Sequence, residues 1–194
     1  MRAQLGFAAL ILVAPTTTAR VACAVYGLGV TAMLAVSAVY HAPGVSPLMH
    51  ARLRRVDHST ILLAIAGSYT AIVALALSGD PERRLLVAVW VAAAVAVAIR
   101  MTWLHAPYPV IALVYLVVGW SALLEWRALL ASTAAADTAL LVAGAVLYTA
   151  GAVVYATRRP DPWPATFGYH EVFHALVVAA VLAHYVLVWR LLLR

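Results

Sequence analysis

Residues Val21–Tyr40 read VACAVYGLGVTAMLAVSAVY, twenty residues without a charge, bounded by Arg20 and His41. That is the length an α-helix needs to cross a hydrocarbon layer of about 30 Å. Five further apolar runs follow: Ser59–Gly79, Leu85–Leu104 (interrupted by Arg100), Ala106–Leu124, Thr138–Thr157 and Ala165–Trp189, which carries three histidines and Glu171. Inside a bilayer each backbone N–H and C=O must be satisfied within the protein, which favours helices over strands despite the many valines. A membrane β-barrel needs alternating polar positions, and these runs have none. Ahead of Val21, Leu5–Ala14 is apolar for ten residues before Pro15 and a threonine run. Ten residues suit either the core of a signal peptide or a short first helix. The spanning run that follows at once favours the helix. The expectation is therefore an all-α membrane protein, a bundle of seven transmembrane helices whose first is short or truncated, forming one domain over residues 1–194.

Composition points the same way. Of 194 residues, 66% are hydrophobic and 10% charged. A soluble enzyme has about half and a quarter respectively. Disorder needs low hydrophobicity. The net charge of +6 comes from 13 arginines and no lysine, scattered along the chain, so no nucleic-acid partner is expected. The lone Cys23 lies in an apolar run and reads as a small buried hydrophobe. With an inside N-terminus, the inner side receives Arg2, Arg52, Arg54, Arg55, Arg100, Arg158 and Arg159, and the outer side the other six. The cluster Arg52, Arg54, Arg55, read as a short loop, tips the orientation to N-inside. Trp103, Trp126, Trp163 and Trp189 fall near span ends, as an aromatic belt does.

Seven carboxylates accompany seven histidines. Ionisable groups in a membrane are costly and are functional candidates by default. His170-Glu171-Val172-Phe173-His174 sets two imidazoles four apart, on one helical face. Such a pair can hold zinc, and the string also fits H-E-x-x-H; two unrelated interfacial histidines are the plain alternative. By span arithmetic, His41 ends one helix at the same inner level. Ser37 lies four residues before it, and Asp57 opens the next helix. Ser37, His41, Asp57, His170 and His174 thus converge from three helix ends. A catalytic zinc takes three protein ligands and leaves a position for water, which Asp57 could hold or deprotonate.

These pieces, SAVYH with Ser37 and His41, DHSTILLAIAGSYT beginning at Asp57, and FGYHEVFHALVVAAVLAHY in the last span, resemble the hemolysin III family. These are bacterial relatives of the progestin and adiponectin receptors, with a distant likeness to alkaline ceramidases. GAVLYTAG around Gly144 and Gly151 is similar too. The resemblance runs from about Ala19 to the end. It implies seven helices, an inside N-terminus and location in the bacterial inner membrane. It also implies Zn2+ on His41, His170 and His174, with Asp57 holding the zinc-bound water and Ser37 hydrogen-bonding within the site. Two departures are Ala71, where relatives often have proline, and the short first helix.

The function expected is zinc-dependent hydrolysis of a lipid amide or ester linked to membrane homeostasis, with membrane lipids as partners. A non-enzymatic membrane-state sensor with structural zinc is the alternative. A cytolysin or pore-former is weaker, since pores need polar stripes along several helices. Glu171 reads as an interfacial or supporting group rather than the base. His184 lies ten residues beyond His174, about 15 Å deeper, and suits an interhelical hydrogen bond or a substrate-chamber contact. His50, His58 and His105 do not read as ligands. Gly144 and Gly151 read as close-packing positions, and the five carboxylates besides Asp57 and Glu171 as loop or helix-end groups.

Overall fold

A computed structural model describes residues 2–44, 46–103 and 105–194, with side chains from residue 5 on. The charge of Arg2 and the Leu104 end of one expected span lie outside the described residues. Among the described residues the chain is helical and forms no strand. It divides into two compact units, Met1–Leu104 and His105–Arg194.

The first unit begins with α1 (Arg2–Val13) and α2 (Thr17–Tyr40). Pro15 cannot continue a helix, and Thr16 restarts one by accepting a hydrogen bond from the Ala19 N–H at 3.1 Å, an N-cap. The Arg20 Nε donates to the Ala14 carbonyl at 3.0 Å, satisfying a group the turn leaves open. Phe7 meets Tyr26 edge to face at 5.1 Å. The apolar N-terminal run is thus a helix packed on its neighbour. At 12 residues, about 18 Å, it is too short to cross by itself. Among the described residues, six helical segments are long and apolar enough to cross a membrane.

α3 (Pro47–Ala76) corrects the expected boundary. It starts well before Ser59, with Ser46 as N-cap and Pro47 in the first turn, a pairing that starts helices regardless of hydropathy. Arg52, Arg54 and Arg55 therefore stand on a helix rather than in a loop. Asp57 lies ten residues after Pro47 rather than at the opening turn. Ala71 is fully buried within this unbroken helix. Glycines bring α2 and α3 into backbone contact: a Cβ at Gly67 would lie 3.0 Å from the Val25 carbonyl oxygen, and one at Gly29 3.1 Å from that of Leu63. This is small-residue packing, which in lipid replaces the hydrophobic drive. α4 (Gly79–Thr102) completes the unit, and its Trp90 donates to Thr70 of α3 at 3.1 Å.

The second unit opens with α5 (Tyr108–Gly119), which tightens into a 3-10 turn over Trp120–Glu125 and resumes as α6 (Trp126–Ser132). The expected end at Leu124 is thus passed without a loop, and Glu125, Trp126 and Arg127 lie within one spanning segment, Tyr108–Ser132. Trp120 donates to Thr149 of α7 (Ala135–Thr157) at 3.1 Å. α8 (Tyr169–Leu192) packs along α7. At one end of this pair Asp137 is fully buried. Arg190 meets it at 2.5 Å and Arg194 also bonds it. This carboxylate is an interhelical clasp rather than a solvated helix-end group.

Large apolar side chains face outward: Leu12 is 81% exposed and Leu28 73%. In water such surfaces aggregate; in lipid they are solvated. Replacing Gly67 by leucine should lower the melting temperature of the detergent-solubilised protein, overpacking costing about 1–3 kcal/mol. Gly119→Leu, where a Cβ meets nothing within 4 Å, should leave melting near wild type. Equal effects would contradict the close α2–α3 approach.

Candidate metal centre

In the first unit, His41 caps the C-terminus of α2, its N–H donating to the Ser37 carbonyl at 3.0 Å. Its ring lies 4.6 Å from that of Tyr40, which also stacks on His50 at 4.6 Å. Asp57, 6% exposed, projects from α3. The Ser37 hydroxyl hydrogen-bonds its carboxylate, and His41 stands close enough for their charges to interact. Ser37, His41 and Asp57, twenty residues apart at the extremes, are thus brought together by the α2–α3 hairpin. A buried carboxylate with a hydroxyl donor and an imidazole beside it is equipped to hold water and take its proton.

In the second unit, His170 and His174 occupy the first turns of α8, with their Nε2 atoms 3.0 Å apart and rings nearly perpendicular. Two imidazole nitrogens bound to one tetrahedral zinc at about 2.0–2.1 Å stand about 3.3 Å apart. The pair therefore fits a shared metal with small adjustment. Aromatic side chains hold these rings. Phe173 lies 6.0 Å from His170 and 5.3 Å from His174. Tyr155 of α7 packs on Phe173 at 5.3 Å and His170 at 6.4 Å. Tyr155 and Phe173 are site-shaping residues the sequence reading missed; Tyr155 precedes Arg158 by three residues in an otherwise apolar run, and no motif signals it.

Glu171 has a different job from any base. It is exposed, and its Oε2 accepts from the Gly168 N–H at 2.8 Å, while Asp161 accepts from the Tyr169 N–H at 2.8 Å. Two carboxylates thus satisfy the open N–H groups of α8 and favour its positive end. His184 is buried deep in the α7–α8 pair. Its Nε2 lies 3.4 Å from the Leu141 carbonyl, and its ring 5.6 Å from Tyr148. A Cβ on Gly144 would fall 2.2 Å from that Nε2, so only glycine leaves room for the imidazole. At Gly151 a Cβ would meet Phe173 at an ordinary 3.5 Å, so close packing alone does not require glycine there. His50 and His105 are exposed.

These features define a multi-pass integral membrane protein built from apolar helices, with a buried acid beside a histidine in the first unit and a facing histidine pair in the second. The chain belongs to the Haemolysin-III related family, whose pattern it matches over residues 3–185. It is 31% identical over 126 residues to the hemolysin-3 homolog of Bacillus subtilis (strain 168), covering 65% of this chain and 56% of that one. It is 26% identical over 167 residues to hemolysin-3 of Bacillus cereus, covering 84% and 71%. A 45-residue stretch is 53% identical to heptahelical transmembrane protein 5 of Arabidopsis thaliana, covering 21% and 12%. The match to the Bacillus subtilis protein thus spans little more than half of its length.

If Glu171 is a cap, Glu171→Ala should cost about 1 kcal/mol and lower the melting temperature by about 2–4 °C. Glu171→Gln, which keeps an acceptor oxygen, should recover most of that loss. Loss of metal uptake in Glu171→Gln would instead place it in the centre.

Proposed function

We propose that this hemolysin III-family protein carries a zinc centre near the cytoplasmic face of the bacterial inner membrane and hydrolyses an amide or ester bond of a membrane lipid. The proposed ligands are His41, His170 and His174. The observations that carry the reading are the pairing of Asp57 with Ser37 and His41 on the α2–α3 hairpin and, within α8, a histidine pair whose Nε2 spacing of 3.0 Å suits one metal. Zinc, when bound, polarises a carbonyl and brings the pKa of water near 7. Asp57 orients the attacking water and accepts its proton. Ser37 donates to the carboxylate and fixes its orientation. Tyr155 and Phe173 keep bulk water from the imidazoles. The full arrangement we propose is one seven-helix domain with an inside N-terminus, the arginines of α3 favouring that orientation.

A non-catalytic sensor with structural zinc needs the same ligands. Cytolysis, suggested by the names hemolysin-3 and hemolysin-3 homolog, is disfavoured by exposed helix faces of leucine and valine without a polar stripe. The purified protein should contain about one zinc per chain, and His41→Ala should lose it. Asp57→Asn should keep zinc and fold while lowering turnover of a ceramide and phospholipid panel about 10²-fold or more. Zinc binding without wild-type turnover would support the sensor; absence of zinc would contradict both.

A further inference from the structure

At the arginine-rich end of the first unit, a buried positive charge meets no carboxylate. Arg100, two residues from the end of α4, is 1% exposed. Its Nη2 donates to His58 Nδ1 at 2.6 Å and its Nη1 to the Trp103 carbonyl at 3.1 Å. Its Nε is buried without a partner. A guanidinium only donates and keeps its proton, and an imidazole brings no negative charge to balance it. Among the described residues no carboxylate pairs with Arg100. Asp57, adjacent to His58 in sequence, is engaged with Ser37 and His41. The other carboxylates of this unit, Asp80 and Glu82, stand in the first turn of α4, at its opposite end.

More positive charge lies on the same face of α3. Arg55 precedes His58 by three residues and Arg54 by four, the spacings that align side chains on a helix. Arg55 Nε is likewise buried without a partner. A buried charge without compensation is costly, and the planar N–H edge of arginine matches a phosphate oxyanion. This cluster sits where α4 ends, the depth at which lipid headgroups lie. We propose that Arg100, with Arg55 and Arg54, forms a phosphate-binding site, the phosphate being carried by an anionic lipid headgroup or free in solution. The site does not depend on the metal centre.

The test uses the full-length protein in neutral detergent. Native mass spectrometry with phosphatidylglycerol and phosphatidylcholine reads lipid retention, and thermal shift with inorganic phosphate reads the soluble ion. Wild type should retain phosphatidylglycerol in preference to phosphatidylcholine, or be stabilised by inorganic phosphate; the first result assigns a lipid source and the second a soluble one. Arg100→Gln should weaken the response about tenfold, with zinc content unchanged, and Arg83→Gln at the other end of α4 should leave it intact. If Arg100→Gln does not fold, Arg55→Gln should show the same loss at smaller size. Equal responses in wild type and both variants, or no response in wild type, would overturn the proposal.

Discussion

Removal of backbone and side-chain polar groups from water is the constraint on which the rest of the structure depends. In hydrocarbon an unmet donor has no solvent to fall back on, so the spans are helices and their polar side chains turn back to the backbone. Ser68 donates to the Ala64 carbonyl at 2.8 Å, Thr70 to Ala66 at 2.8 Å and Thr149 to Ala145 at 2.7 Å. The same hydroxyls Thr70 and Thr149 then accept from Trp90 and Trp120 of neighbouring helices. Each threonine thereby serves its own helix and ties it to another. Asp137 follows the same logic with charge, buried only because Arg190 and Arg194 meet it.

That economy makes the remaining polar groups informative. Asp57 is buried without a guanidinium partner and is held by a hydroxyl and an imidazole. His170 and His174 spend their facing nitrogens on each other. Within each unit, groups held this way have fixed orientations, as metal ligands and their supporting groups require. Glu171, by contrast, is committed to the backbone of its own helix. The H-E-x-x-H string therefore has a different division of labour here from that of a soluble metalloprotease: its two histidines face each other, and its glutamate holds the helix end.

Much of the fold was legible because apolar length is a local property, and the spans of α2, α4, α7 and α8 were found from it. Their ends were less legible. The start of α3 is set by Ser46 and Pro47 rather than hydropathy, so Arg52, Arg54 and Arg55 read as loop and Asp57 as the opening of the helix, although the capping signal was present. The line through Glu125 failed for a related reason, since a 3-10 turn continued the segment past a charge. Of the site, His170 and His174 were readable from spacing, and Ser37, His41 and Asp57 from their closeness in the chain. The Arg100–His58 contact spans 42 residues and Arg190–Asp137 spans 53, and no local pattern announces either. Tyr155 and Phe173 were hidden among apolar neighbours, where an aromatic collar looks like any other packing.

The central claim is that three imidazoles hold one zinc ion in this membrane protein. X-ray absorption at the zinc edge of the purified, full-length protein tests it most directly. The account predicts nitrogen or oxygen neighbours at about 2.0–2.1 Å, with the multiple-scattering signature of three histidine rings, falling to two in His41→Ala if metal is retained. A sulfur shell at about 2.3 Å, or an unchanged ring count in His41→Ala, would contradict it.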